Sequence, residues 1–252
     1  MTQIEVEYIN HCGDDLSVVD AARTSFDKQS EWEFPSQFPE KYNGDSWQEE
    51  CLADGFQYNE LGGLQRLKSS DAKLINYLAK HKHLSPFNHS FISVRVKAPV
   101  FVARQLVKHK FMPWNEVSRR YVKGEVEFYK PDYWRKASES VKQGSSLDDA
   151  SPHSLYEFET WQEDFDAHNE ECLRYYSHLL EQGVCAEEAR MVLPQSMMTT
   201  WVWSGTLGAF CDMLRLRLKK DTQLETRIVA EQVAEIVEKL FPVSYKALLE
   251  ES

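Results

Sequence analysis

FISVRVKAPVFVARQLVKHKFMPWNEVSRRY, Phe91–Tyr121, changes periodicity part-way, and that change sets the fold class. From Phe91 to Lys97 apolar and polar residues alternate, the pattern of a strand with one buried face. Pro99 has no N–H to give to a ladder and ends the run. From Val100 to about Lys110 the spacing turns helical. Val102 and Leu106 share one face, while Gln105, Lys108 and His109 gather on another. After a loop around Pro113, Arg120–Tyr129 reads as a strand or hairpin interrupted at Gly124.

Upstream, Ile4–Tyr8 reads as a strand and DDLSVVDAARTS as a capped helix start. Residues 27 to about 68 hold Pro35, Pro39, Asn43-Gly44 and Gly62-Gly63, with Trp32, Phe34, Phe38, Tyr42, Trp47 and Phe56 interspersed, so a packed, loop-rich insertion is expected. A short helix is expected over Ser70–Lys80. Downstream, residues 135–154 are polar and turn-rich, hence a loop. Phe158, Trp161, Phe165, Cys172, Tyr176 and Leu179 then recur at helical spacing, in a helix that Gly183 ends. Helices over about Met197–Leu218 and Thr222–Leu240 complete the chain. Strands early and helices late predict an α+β fold: one domain over residues 1–252, with a small antiparallel sheet packed against long helices.

The chain has 252 residues, 42% hydrophobic and 27% charged, an ordinary globular balance. No apolar run approaches the roughly 20 residues that span a bilayer. The opening MTQIEVEYINHCGDD lacks a basic and apolar leader, so a cytoplasmic, membrane-free protein is expected. The net charge of −11 disfavours bulk nucleic-acid binding. Against it, Arg95–Lys123 carries eight Lys or Arg and the single acid Glu116, a local +7 that fits a small anion. Five scattered cysteines form no framework, and His81, His83 and His89 lack a carboxylate or Cys at ligand spacing, so no metal is expected. Arg190 and Arg217 sit in the apolar runs ARMVLP and LRLRL, where a charge needs a partner.

The order S-P-F-x-H, a basic triplet, then N-E-x-S-x-R-Y resembles the flavin-dependent thymidylate synthases. EFYKP, EEARMVLP and LRLRLKKDTQLETR continue the resemblance, which covers most of the chain from about Asp71 and the segment DAARTSF. It implies a homotetramer with FAD at subunit interfaces. That enzyme methylates C5 of dUMP to give dTMP, using 5,10-methylenetetrahydrofolate and NADPH. The implied dUMP contacts are Gln105, Leu106, Val107, Lys108, Glu116, Val117, Ser118, Arg119, Arg120, Arg190 and Arg217. The implied FAD contacts are Ser85, Lys108, His109, Lys110, Phe111, Glu116, Thr206, Leu207, Gly208 and Asp212. The resemblance also implies the catalytic role for Arg217, and the chemistry suits it: a fixed guanidinium stabilises negative charge on the uracil ring without losing its proton. The family's R-H-R reads Lys108-His109-Lys110 here, which keeps charge but loses the planar fork. Thr206, Gly208 and Asp212 replace the family's flavin-facing Asn, Arg and Asn. Two alternatives share the scaffold: a pyrimidine-nucleotide modifier with a changed acceptor or hydroxymethyl product, and a non-catalytic nucleotide-binding homologue.

Overall fold

A computed structural model describes residues 4–59, 61–122, 124–138, 145–149 and 160–250. In chain order the elements are β1 (Glu5–Cys12), α1 (Asp15–Arg23), α2 (Trp47–Ala53), β2 (Gln57–Tyr58), β3 (Leu64–Gln65) and α3 (Ser69–Lys80). Then come β4 (Phe91–Pro99), α4 (Val100–Leu106), β5 (Trp114–Glu116), β6 (Arg135–Ala137), β7 (Ser145–Asp149) and α5 (Trp161–Glu181). The last are α6 (Ala186–Ala189), β8 (Met198–Thr206), α7 (Leu207–Arg217), α8 (Leu224–Leu240) and α9 (Pro242–Glu250). The class is α+β, as expected. No helix among the described residues is long and apolar enough to cross a membrane.

The chain divides into two compact units. The first takes residues up to Asn10, Ser93–Gly205 and Asp212–Glu235; the second takes His11–Ile92, Thr206–Cys211 and the chain from Ile236. The main sheet has the order β1-β4-β8-β5, and β5 runs antiparallel to β8 with Trp114 opposite Trp203 and Glu116 opposite Trp201. Its third strand corrects the expected helix over Met197–Leu218: Met198–Thr206 is extended, and only Leu207 onward is helical. The reason lies in Trp201 and Trp203. Two residues apart, they fall on the same face of a strand but on opposite sides of a helix, and both are buried.

Three further expectations change. Among the described residues of Arg120–Tyr129 there is no strand; a bridge joins Phe128 to Met197. The stretch 135–154 contains β6 and β7, paired antiparallel, so it is not loop alone; residues 139–144 and 150–154 lie outside the described residues, as does Phe158. The first helix after Pro99 stops at Leu106, short of Lys110. A final helix, α9, begins at Pro242 and was missing from the sequence reading. Gly183 does end α5, at φ +85°, a left-handed turn that its lack of a Cβ permits.

In the second unit, Asp14 caps α1 by accepting from Ser17 N–H at 2.8 Å. Its neighbour Asp15, 1% exposed, accepts the N–H groups of Val243 and Ser244 at 2.9 Å each and so caps α9. Residues 27–68 carry α2, the β2–β3 hairpin and a small core of Tyr42, Cys51, Phe56 and Leu64, against which Phe38 packs. Arg66 lies 4.6 Å over the Phe56 ring and pairs with Glu33 at 2.8 Å. Phe38, Tyr42 and Phe56 are thus used in packing, while Phe34, Trp47 and Tyr58 are exposed.

Candidate functional site

The first unit places most of the expected nucleotide residues on three neighbouring pieces of chain. Helix α4 presents Gln105, half-buried, and the fully buried Leu106 anchors it from the other face. After Val107 the backbone reverses through Phe111, at φ 61°, whose ring is 89% exposed. Lys108 and Lys110 are exposed on this turn and His109 is half-buried between them. Strand β5 then returns the chain to the sheet. Trp114 stacks on Trp201 at 4.4 Å between ring centroids. Both oxygens of Glu116 are held, one by Trp114 Nε1 at 3.2 Å and the other by Thr199 Oγ1 at 3.1 Å.

Arg217 is the last residue of α7, where the buried Met213 and Leu214 fix the helix face that carries it. Its Nε donates to His109 Nε2 at 3.1 Å, and an NH2 group reaches the Gln105 carbonyl at 3.5 Å. No ion pair to Arg217 forms among the described residues. The expected partner therefore exists but is neutral. Burial depresses the Arg217 pKa, although a guanidinium stays protonated at any physiological pH. His109 is pushed down to about 4, first by burial and then by the Arg217 charge. It is thus an uncharged acceptor at neutral pH and leaves the guanidinium charge undiminished.

This pairing predicts a pH dependence. The imidazole titrates near 6.5 in the unfolded chain and near 4 in the folded one. The unfolded state therefore binds the extra proton first, and folding stability present above pH 6.5 declines as pH falls toward 4. Denaturant melts of His109→Gln, which keeps an acceptor and cannot titrate, should lose less stability over that interval than wild type. Parallel curves would remove the assignment.

Arg217, Gln105, Lys219, Asp221, Thr222 and Gln223 line a cavity of about 480 Å³, within the range of small-molecule sites. Elsewhere in the first unit, Arg120 and Arg190 both reach residue 187. Arg120 pairs with the Glu187 carboxylate, and Arg190 Nε donates to the Glu187 carbonyl at 3.3 Å. Ser118 Oγ accepts the Arg120 N–H at 3.3 Å. Arg190 is exposed on a short 3-10 turn, so its apolar sequence neighbours do not enclose it. Arg119 turns away to the carbonyls of Gly124 and Glu125, at 2.8 and 2.6 Å, and Val117 is exposed.

Of the expected flavin residues, Ser85, Thr206, Leu207 and Gly208 belong to the second unit and Asp212 to the first. Ser85 is exposed and Leu207 fully buried. Thr206 Oγ1 donates to Asn88 Oδ1 at 2.7 Å and accepts the Ala209 N–H at 3.2 Å. A Cβ on Gly208 would stand 2.6 Å from that same Asn88 oxygen. Asn88 thus occupies the space a side chain at 208 would need, a relation that no sequence pattern announced. Asp212 is engaged by Arg215 at 2.6 Å. The sequence reading also missed Gln223, Glu225 and Thr226, which stand in LRLRLKKDTQLETR beside the arginines that drew attention.

A family model described as thymidylate synthase complementing protein matches residues 7–243. The flavin-dependent thymidylate synthase of Thermotoga neapolitana is 30% identical over 244 residues, 97% of this chain and 90% of that protein. The chain belongs to the flavin-dependent thymidylate synthase family. Another member, from Thermus thermophilus, is 39% identical over 183 residues, 71% of this chain. That match spans 64% of the Thermus protein, just under two thirds of its length. Among solved structures, a UMP/dUMP methylase, PolB from Streptomyces cacaoi, is similar in two complexes. With 5-Br dUMP bound it aligns at TM-score 0.69 and 26% identity, over 98% of this chain and 94% of that one. With 5-Br UMP the TM-score is 0.73 at 25% identity, over 100% and 96%. Within the family, this member carries Lys108-His109-Lys110, two point charges flanking the imidazole that holds Arg217.

Proposed function

We propose that the chain methylates dUMP at C5 to give dTMP, consuming 5,10-methylenetetrahydrofolate and NADPH and releasing tetrahydrofolate and NADP⁺. The observation that carries this reading is Arg217: a half-buried guanidinium with neutral partners, on the wall of a nucleotide-sized cavity. Uracil C5 becomes nucleophilic when negative charge on the ring is stabilised, and a preorganised cation does that without moving. Gln105 and Arg217 would hold the base, and Ser118, Arg120 and Arg190 the phosphate. The Arg120–Glu187 pair is exposed on both sides, so an incoming phosphate displaces Glu187 at little cost, about 0–1 kcal/mol.

Each unit by itself offers residues that suit FAD: in the first, Lys108 and Lys110 are exposed cations for its phosphates and Phe111 is an exposed ring; in the second, Ser85 is an exposed hydroxyl. At the start of α7, the Asn88 carboxamide stands where Gly208 contributes nothing. When bound, the flavin supplies the hydride that reduces the transferred carbon; the protein supplies position and field. The resemblance and the exposed Phe111, Tyr121 and Met191, all beside the proposed phosphate and flavin residues, support assembly as a homotetramer.

The test is direct. Purified protein should show oxidised-flavin absorption, and mass spectrometry should find dTMP formed from dUMP only when folate donor and NADPH are present. Parallel assays with UMP and dCMP identify a changed acceptor, and a mass 16 units above the methylated product identifies hydroxymethylation. Absence of dTMP from dUMP in flavin-loaded protein would sink the reading.

A further inference from the structure

Glu225 lies in the first turn of α8 and is 3% exposed. One of its oxygens accepts Arg135 NH2 at 2.7 Å and the Tyr129 hydroxyl at 3.5 Å; the other accepts Gln223 Nε2 at 3.1 Å. The Tyr129 phenol is pushed up to about 12 by burial and by the Glu225 charge, so it remains a donor. An ionised carboxylate can only accept. That single constraint propagates. Gln223 must turn its nitrogen to Glu225 and its oxygen to Gln105, and Gln105 must answer with its own nitrogen, Nε2. Gln105 Oε1 is then left to the hydroxyl of Thr226, 3.2 Å away and fully buried. The buried anion therefore sets the sense of an amide two residues removed from it, where the coordinates of an amide alone would not.

The cavity sees the consequence. Gln105 lines it with its oxygen committed to the buried Thr226 and one Nε2 hydrogen committed to Gln223, so the polar hydrogen left for a ligand is the second one on Nε2. Arg217, on the same wall, has only donors. A base edge docked against Gln105 and Arg217, away from the Asp221 and Thr222 side of the lining, must accept: keto oxygens satisfy it, whereas an exocyclic amine sets donor against donor. We propose that Glu225 is a positioning residue which, through Gln223, holds the Gln105 amide donor-first toward the cavity and so selects a 4-keto pyrimidine nucleotide over its 4-amino counterpart. This rests on the nucleotide-binding reading above.

Glu225→Gln replaces the acceptor-only end with a group able to donate, so the chain of amides can run in either sense. Gln223→Met cuts the same chain without touching Glu225, and decides the matter if the first variant does not fold. Binding of dUMP and of dCMP is measured by calorimetry on the flavin-loaded protein. Wild type should prefer dUMP by more than about tenfold, the scale of an unsatisfied polar contact, and either variant should bring the ratio of the two affinities within about threefold. A merely structural role would weaken both ligands alike and leave the ratio unmoved. Variants that keep the wild-type ratio overturn the relay while leaving the functional reading intact. Wild type that binds no dUMP overturns both.

Discussion

Arg217→Ala should lower turnover by about 10²–10³-fold, the loss typical of removing one preorganised group that stabilises developing negative charge. Affinity for dUMP should fall far less, by about tenfold or under, because the interaction strengthens as charge accumulates on the ring. The proposed role makes use of the geometry at this place. Its Nε–H is committed to His109 and its NH2 edge leans on the Gln105 carbonyl, so the planar group is oriented before any substrate arrives. A neutral imidazole orients the cation without cancelling it, which a carboxylate partner could not do. Arg217→Lys keeps the charge but cannot both hold His109 and reach the base, and should recover only a small part of the loss. Single-turnover rates and equilibrium binding on the same preparations separate the two quantities. If rate and affinity drop by equal factors, Arg217 is a binding group and the catalytic role is wrong.

Trp201→Ala should cost about 3–5 kcal/mol of folding stability, the range for deleting a large buried ring from a packed core. Trp201 is 1% exposed on the strand between β4 and β5 and carries the stacked Trp114 on its face. The damage should not stay in the core. Glu116 pairs opposite Trp201 in the sheet, and Trp114 donates to the Glu116 carboxylate, so the turn from Lys108 to Glu116 loses its inner support. Trp201→Phe should be much milder. It keeps most of the packing and removes an indole N–H that has no partner among the described residues. Urea unfolding of the three proteins tests this; a loss below about 1 kcal/mol for the alanine variant would mean that the sheet is held elsewhere.

Short-range patterns were legible because their causes are local. Alternation over Phe91–Lys97 and the stop at Pro99 produced β4, Asp14 and Ser17 produced the α1 cap, and Gly183 produced the end of α5. The strand β8 was misread because MTTWVWSGT runs directly into a helical stretch, and only its place between two other strands makes the extended form bury both indoles. The hairpin of β6 and β7 was misread for a similar reason: polar residues read as loop until a partner strand takes up their backbone groups. At the site, the motif segments named Arg217, Gln105 and Arg190. They said nothing of His109 as the partner of Arg217, of Asn88 filling the space at Gly208, or of the path from Glu225 to Gln105.

By itself, then, the order of residues determined the fold class, the family, and the concentration of cations in a negative chain. These depend on composition and on spacings of a few residues, which act before any distant contact exists. The tertiary structure decided that Arg217 meets neutral partners, which carboxylate is sealed in, and which way an amide points. Such properties belong to pairs drawn together from positions about 90 to 120 apart, and no local pattern encodes them.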